Sequence, residues 1–157
     1  MTYGKCTDAF AREERGVLDE QQNRLCDVLK EILHFQNLIE HTWTKHFNYL
    51  LLKIVGSDTI PIALLTRRGT HLQLTDYESG FTTCYFRIEN IDVSSNLLTV
   101  SFLCPMSIEG EPIMRAEEMV TLKKTNREAT INIATLSGVQ LFSTSLLSAN
   151  IFVESKW

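Results

Sequence analysis

Two kinds of apolar spacing divide this chain. From Leu18 the positions Leu18, Leu25, Val28, Leu29, Ile32, Phe35 and Ile39 step by three, four or seven, which sets them on one stripe of an α-helix. No Gly or Pro interrupts that interval, and Asp19, Glu20 and Asp27 lie toward the positive end of the helix dipole, so a helix is expected over 17–41. A stripe this regular is either a docking face on the rest of the domain or a helix–helix interface, docking being the commoner use. Leu25, Leu29, Ile32 and Ile39 are assigned as its packing face. Residues 1–15 are polar, charged and aperiodic and read as a flexible tail.

The texture changes past the helix. Trp43, Phe47, Tyr49 to Leu52, Ile54 and Val55 fill a connection, 42–59, whose periodicity does not decide between a short helix and irregular packed chain. From Ile60 onward eight short β-prone runs follow: Ile60 to Thr66, His71 to Thr75, Cys84 to Ile91, Leu97 to Leu103, Met119 to Lys123, Ala129 to Ile133, Gly138 to Ser143 and Ala149 to Val153. Arg67-Arg68-Gly69-Thr70, Asp92 to Asn96 and Glu109-Gly110-Glu111-Pro112 punctuate them as turns. The expected fold is mainly β: an antiparallel sandwich or barrel-like domain over 60–157, packed with or extended by one N-terminal helix. Residues 16–157 then form a single domain.

Several function classes find no footing. The formal charge of −4, from 15 basic against 19 acidic side chains with no block of like charge, offers nucleic acid no electrostatic footprint. No apolar run approaches a membrane span, and the N-terminus lacks the apolar region of a secretory signal, so synthesis in the cytoplasm without a signal peptide is expected. His34, His41 and His46 are spaced by seven and five, not by the three or four that would share one helical turn, and no HExxH occurs; no metal is expected. GxSxG, GxxxxGK[ST] and GxGxxG are absent, so neither catalytic residues nor a cofactor are assigned. The acidic pairs Glu109/Glu111 and Glu117-Glu118 read as solvated turns. Among the cysteines, Cys84 and Cys104 fall in strand-like runs as small core residues, which leaves Cys6 and Cys26 as disulfide or assembly candidates.

Several segments together resemble the Cys-rich CotY/CotZ (ExsY-like) family of bacterial spore-coat proteins. Leu25-Cys26-Asp27-Val28-Leu29 is similar to the family's helix opening on Cys-Asp, and Gly56-Ser57-Asp58-Thr59-Ile60-Pro61-Ile62 to its Gly-x-Asp-Thr-[Ile/Val]-Pro-Phe step into the first strand. Phe81-Thr82-Thr83-Cys84-Tyr85-Phe86-Arg87-Ile88-Glu89 is similar to its Phe-x-x-x-Phe-Phe-Arg-Val-Glu strand. Leu98 to Leu103, Leu122 to Asn126 and Val139-Gln140 continue the likeness in order. The departure lies in the cysteines. Where the family carries Cys-Phe-Cys-Ala-Ile-Gln-Cys, this chain has Thr135-Leu136-Ser137-Gly138-Val139-Gln140-Leu141; Trp43 to Phe47 stands for its Cys-Pro-Thr-Gly-Cys, and Gly80 for a further cysteine.

The resemblance implies a non-enzymatic structural protein of the spore coat, crust or exosporium. Its partners would be further copies of itself, in a hexamer-based lattice, and other coat proteins. The missing cysteines imply assembly without dense disulfide cross-links. The alternative is an adaptor that recruits other coat proteins without forming a lattice.

Overall fold

The computed structural model describes residues 6–40 and 58–147, with side chains in the helix described over 20–39. Helix α1 spans Cys6–Glu40. Among the described residues seven strands follow: β1 (Ile62–Thr66), β2 (Leu74–Asp76), β3 (Phe81–Thr83), β4 (Phe86–Asp92), β5 (Leu97–Met106), β6 (Thr121–Asn132) and β7 (Leu136–Leu141). The protein is mainly β with one N-terminal helix. The main sheet is antiparallel with the order β6-β5-β4-β1-β7, and β2-β3 forms a separate hairpin.

β6 and β7 occupy opposite ends of this order, yet only a 3-10 turn, Ile133–Thr135, separates them. Two strands that close in sequence can stand at both edges only if the sheet curls toward itself, as a barrel does. The corner is held at both sides. Ile133 N–H donates to Asn96 O at 2.9 Å, extending the β5–β6 ladder, and Arg67 N–H donates to Thr135 O at 3.3 Å, beginning the one with β1. The Asn132 side chain accepts from Ala134 N–H and so caps the turn.

The concave face carries the principal core. Phe86, Ile88, Leu98, Val100, Phe102 and Cys104 of β4 and β5 pack with Ile62 and Leu64 of β1, Ile133, Leu136, and Leu25, Cys26, Leu29 and Ile32 of α1. The β2–β3 hairpin lies over β5, where Phe81 meets Phe102 edge to face at 6.4 Å. A smaller cluster of Tyr85, Leu103 and Leu122 with Phe142, Leu146 and Leu147 occupies the other face.

Several elements differ from the sequence expectation. α1 begins at Cys6, so residues 6–15, expected as tail, are helical. Ala9, Ala11, Arg12, Glu13, Glu14 and Arg15 are strong helix formers, and their intrinsic propensity extends the helix without apolar periodicity. The runs at Met119 to Lys123 and Ala129 to Ile133 are joined by one strand, β6: the polar residues between them are strand positions that alternate between exposed and half-buried, not a turn. A register irregularity opposite Ser101 to Leu103 absorbs the extra residues, with the Thr125 hydroxyl donating to Phe102 O at 2.7 Å. The hairpin Leu74 to Thr83, turned by Tyr77 to Gly80 with Gly80 at φ 75°, was not separated from its neighbours by sequence. The expected run Ala149 to Val153 and most of the 42–59 connection lie outside the described residues.

Candidate functional site

The packing-face residues Leu25, Leu29, Ile32 and Ile39 are buried, whereas Val28 and Phe35, placed on the same sequence stripe, are exposed at 41% and 46%. The buried set therefore advances by four and three residues, and the position that completes it is polar: Gln36, fully buried. Its carboxamide works in both directions. Nε2 donates to Ile88 O at 2.8 Å and Oε1 accepts from Ile60 N–H at 3.0 Å. β1 pairs with β4 at Ile62 and Phe86, and in that register Ile60 and Ile88 would be the next partners. Gln36 stands where their direct bond would run, so a helix side chain splices the sheet at its weakest join. β4 is bulged just beyond, between Ile88 and Asn90.

On the other face six polar side chains from four segments join in one chain. Lys124 of β6 bonds Asp58; the Thr59 hydroxyl donates to Asp58 Oδ1 at 3.1 Å. Arg87 Nε donates to Thr59 Oγ1 at 3.0 Å, and its Nη1 meets Glu89 Oε2 at 2.6 Å. The Ser101 hydroxyl donates to Glu89 Oε1 at 2.7 Å. Thr59, Arg87 and Ser101 are buried. Charge is sustained here because each ion has an opposite partner and further hydrogen bonds. Burial works to raise the Asp58 pKa, but the Lys124 ammonium, the Thr59 hydroxyl and the Arg87 charge outweigh it and hold the carboxyl below 3.8.

A second cluster ties the β2–β3 hairpin to β6. Arg127 Nε lies 3.3 Å from Asp76 Oδ2, and its other arm bonds Glu78. Asp76 Oδ2 is buried and lacks a well-directed hydrogen bond, so its contact with Arg127 is an ion pair without hydrogen-bond alignment. Neither cluster was legible as a site. Their members are polar residues at strand positions and turns, far apart in sequence, and each taken singly reads as solvent-facing. Gln36 did leave a signal: it continues the alternation of four and three through Leu25, Leu29 and Ile32 to Ile39.

Of the cysteines, Cys84 and Cys104 pack into the core clusters as expected, and Cys26 departs from expectation. Cys26, a disulfide candidate, is buried in the concave core, because its position beside Leu25 and one turn before Leu29 faces the sheet. Cys104 is buried and Cys84 half-buried, and burial pushes both thiols up. Cys6 opens α1, and its side chain lies outside the described ones. His34 and His71 are exposed, and His71 pairs with Gln140 at 3.0 Å. Among the described residues no three His, Cys, Asp or Glu side chains group as metal ligands. No described helix is long and apolar enough to cross a membrane. Among the described residues an open groove of about 490 Å³ lies between Met106, Thr121, Leu122 and Leu147. The site is thus a framework: a polar chain that fixes four segments on one face of the sheet, and a carboxamide that fixes the helix on the other.

Comparison of the chain with family models, with curated proteins and with solved structures returns no match.

Proposed function

We propose that this protein is a structural, non-enzymatic component of the outer layer of a bacterial spore, where it self-associates into an ordered array of the coat, crust or exosporium. The resemblance to the CotY/CotZ family is the ground for this reading, and one structural observation carries it further. Its separated motif blocks contribute to a single network: Asp58 and Thr59 come from the Gly-x-Asp-Thr step, Arg87 and Glu89 from the Phe-Phe-Arg-x-Glu strand, Ser101 from the Leu98 to Leu103 strand, and Lys124 from Leu122 to Asn126. Mutual contact gives these separated blocks one structural role, which supports reading them as a single architectural signature that does not depend on cysteines.

Two further features favour association. Among the described residues, β6 and β7 each have one strand partner, so each presents an edge with main-chain groups available to another chain. Val28, Phe35 and Leu38 leave apolar surface on α1. Since Cys26 and Cys104 are buried, association rests on non-covalent contacts first.

Electron microscopy and multi-angle light scattering of the purified protein in fresh reductant test the reading. Rings or sheets and a mass well above that of one chain are expected. A single-chain species at every concentration overturns self-assembly; if that species still binds extracted coat proteins, the adaptor reading takes its place.

A further inference from the structure

The two ends of the β5–β6 ribbon differ in charge and are both capped by ordered turns. At one end Leu97 pairs with Asn132, and the hydrogen bonds of Ile133 to Asn96 and of Arg67 to Ala134 and Thr135 bring the 92–96 turn, the 133–135 turn and the 67–70 turn together. At the other end Met106 pairs with Thr121 and the connection 107–120 projects. The β5 strand between them spans up to roughly 30 Å.

Exposed Arg67 and Arg68 lead the first end. Its nearby acid, Asp92, is exposed, and its Oδ1 accepts from Ser94 N–H at 3.0 Å, Ser94 Oγ at 2.6 Å and Ser95 N–H at 3.3 Å; its charge offsets one of the two arginines and leaves this end positive by the other. α1 approaches this end where Gln21 and Gln22 share a hollow with Arg67, and the exposed Glu20 and Arg24 beside them carry opposite charges that add nothing net. Val93 adds an apolar side chain, 56% exposed. The second end presents Glu109, Glu111, Glu117 and Glu118, all exposed, against Arg115 and the nearby Lys123, and it exposes Ile108 at 73% and Met114 at 84%. Its loop is held by its own backbone: Ser107 N–H donates to Glu111 O at 2.8 Å, and Ile113 N–H to Pro105 O at 3.0 Å. Each end thus pairs exposed apolar side chains with one prevailing charge, and the charges are opposite.

We infer that copies of this chain join head to tail, the Arg67-Arg68 and Val93 end of one copy seating on the Ile108, Glu109, Glu111 and Met114 end of the next. The occupant is a second copy because the two surfaces complement each other in sign and both carry apolar side chains, the composition of an interface with a charged rim. A contact between two different surfaces leaves each copy with one free end, so it propagates into a ring or a filament and does not stop at a dimer. This inference rests on the self-association proposed above and names the surface that performs it.

Exposed turn residues allow a test that leaves the core untouched. Arg68→Glu makes both ends acidic, and Glu109→Lys/Glu111→Lys makes both ends basic. By light scattering at about 50 mM salt, each variant by itself should need at least about tenfold more protein than the parent to associate, and about 500 mM salt should weaken the parent similarly. An equimolar mixture of the two variants should recover the parent's assemblies, because every contact between unlike variants again joins opposite charges. Variants that assemble as the parent does would overturn the head-to-tail contact while leaving self-association standing. A mixture that stays dispersed would overturn it equally. A parent that stays single-chain at both salts would overturn this contact and self-association together.

Discussion

The two faces of the curled sheet are held by different physics. On the concave face α1 and the β2–β3 hairpin cover Phe86, Ile88, Leu98, Val100 and Phe102, a non-directional contact in which area removed from water is what counts. The convex face relies on the chain from Lys124 through Asp58, Thr59, Arg87 and Glu89 to Ser101, where each member has a fixed partner. Apolar packing tolerates exchange of one hydrophobe for another of similar volume, whereas the polar chain loses an ion's partner with any single replacement. The first face sets how stable the domain is; the second sets which segments may lie beside one another.

The contrast sharpens if one residue from each face is broken. Ile32→Asp places a charge in the concave core and should lower unfolding free energy by roughly 4 kcal/mol in urea titration, while Leu38→Asp, on the exposed side of the same helix, should stay within about 0.5 kcal/mol. Equal losses would mean that the helix has no inner face. On the convex side Arg87→Met should cost roughly 3 kcal/mol by stranding Glu89, and adding Glu89→Leu should return more than half of it. A double variant as unstable as the single one would show that the arginine acts by its bulk and not by its charge.

Gln36 brings directed bonds into the apolar face, so Gln36→Leu should cost about 2 kcal/mol, the penalty of leaving Ile60 N–H and Ile88 O without their partner. An unchanged midpoint would place the splice among dispensable contacts. The smallest effect is in acid. Asp58 has its folded pKa below 3.8, so the folded state binds its proton less readily than the unfolded chain does. Its contribution is therefore complete above about pH 4 and fades as the pH falls through the folded value. Asp92, held to about 2 by the Ser94 and Ser95 side chains and backbone, behaves with the same sign further down. Asp58→Asn should flatten the acid limb of Tm against pH; a limb identical to the parent's would assign it to other carboxylates.

Legibility followed the same division between faces. The concave side could be read because burial there repeats with helix and strand periods: Leu25, Leu29, Ile32 and Ile39 announce a helix face, and the alternation through Leu98, Val100 and Phe102 announces a strand. Turn chemistry was equally plain at Gly69, Asn96 and Gly110, all of which adopt positive φ. The start of α1 was hidden because propensity without periodicity looks like a charged tail. The convex network was hidden for another reason: Asp58, Arg87, Ser101 and Lys124 make no pattern along the chain, and their pairing exists only after β4, β5 and β6 are laid side by side.

The single Ile62–Phe86 pair between β1 and β4 has a consequence for the order in which the protein is made. The ladder that holds β1 is with β7, from Ile62 with Leu141 to Thr66 with Leu136, and β7 is the last strand in the described chain. β4, β5 and β6 follow one another as antiparallel neighbours and can close as they leave the ribosome, since their contacts span short stretches of sequence. β1, translated before any of them, must wait for nearly the whole domain before its other edge is covered. The Gln36 splice joins β1 to β4 once Ile88 is in place, but it lies on the β4 side, so the edge that β7 covers stays open until the last described strand is made.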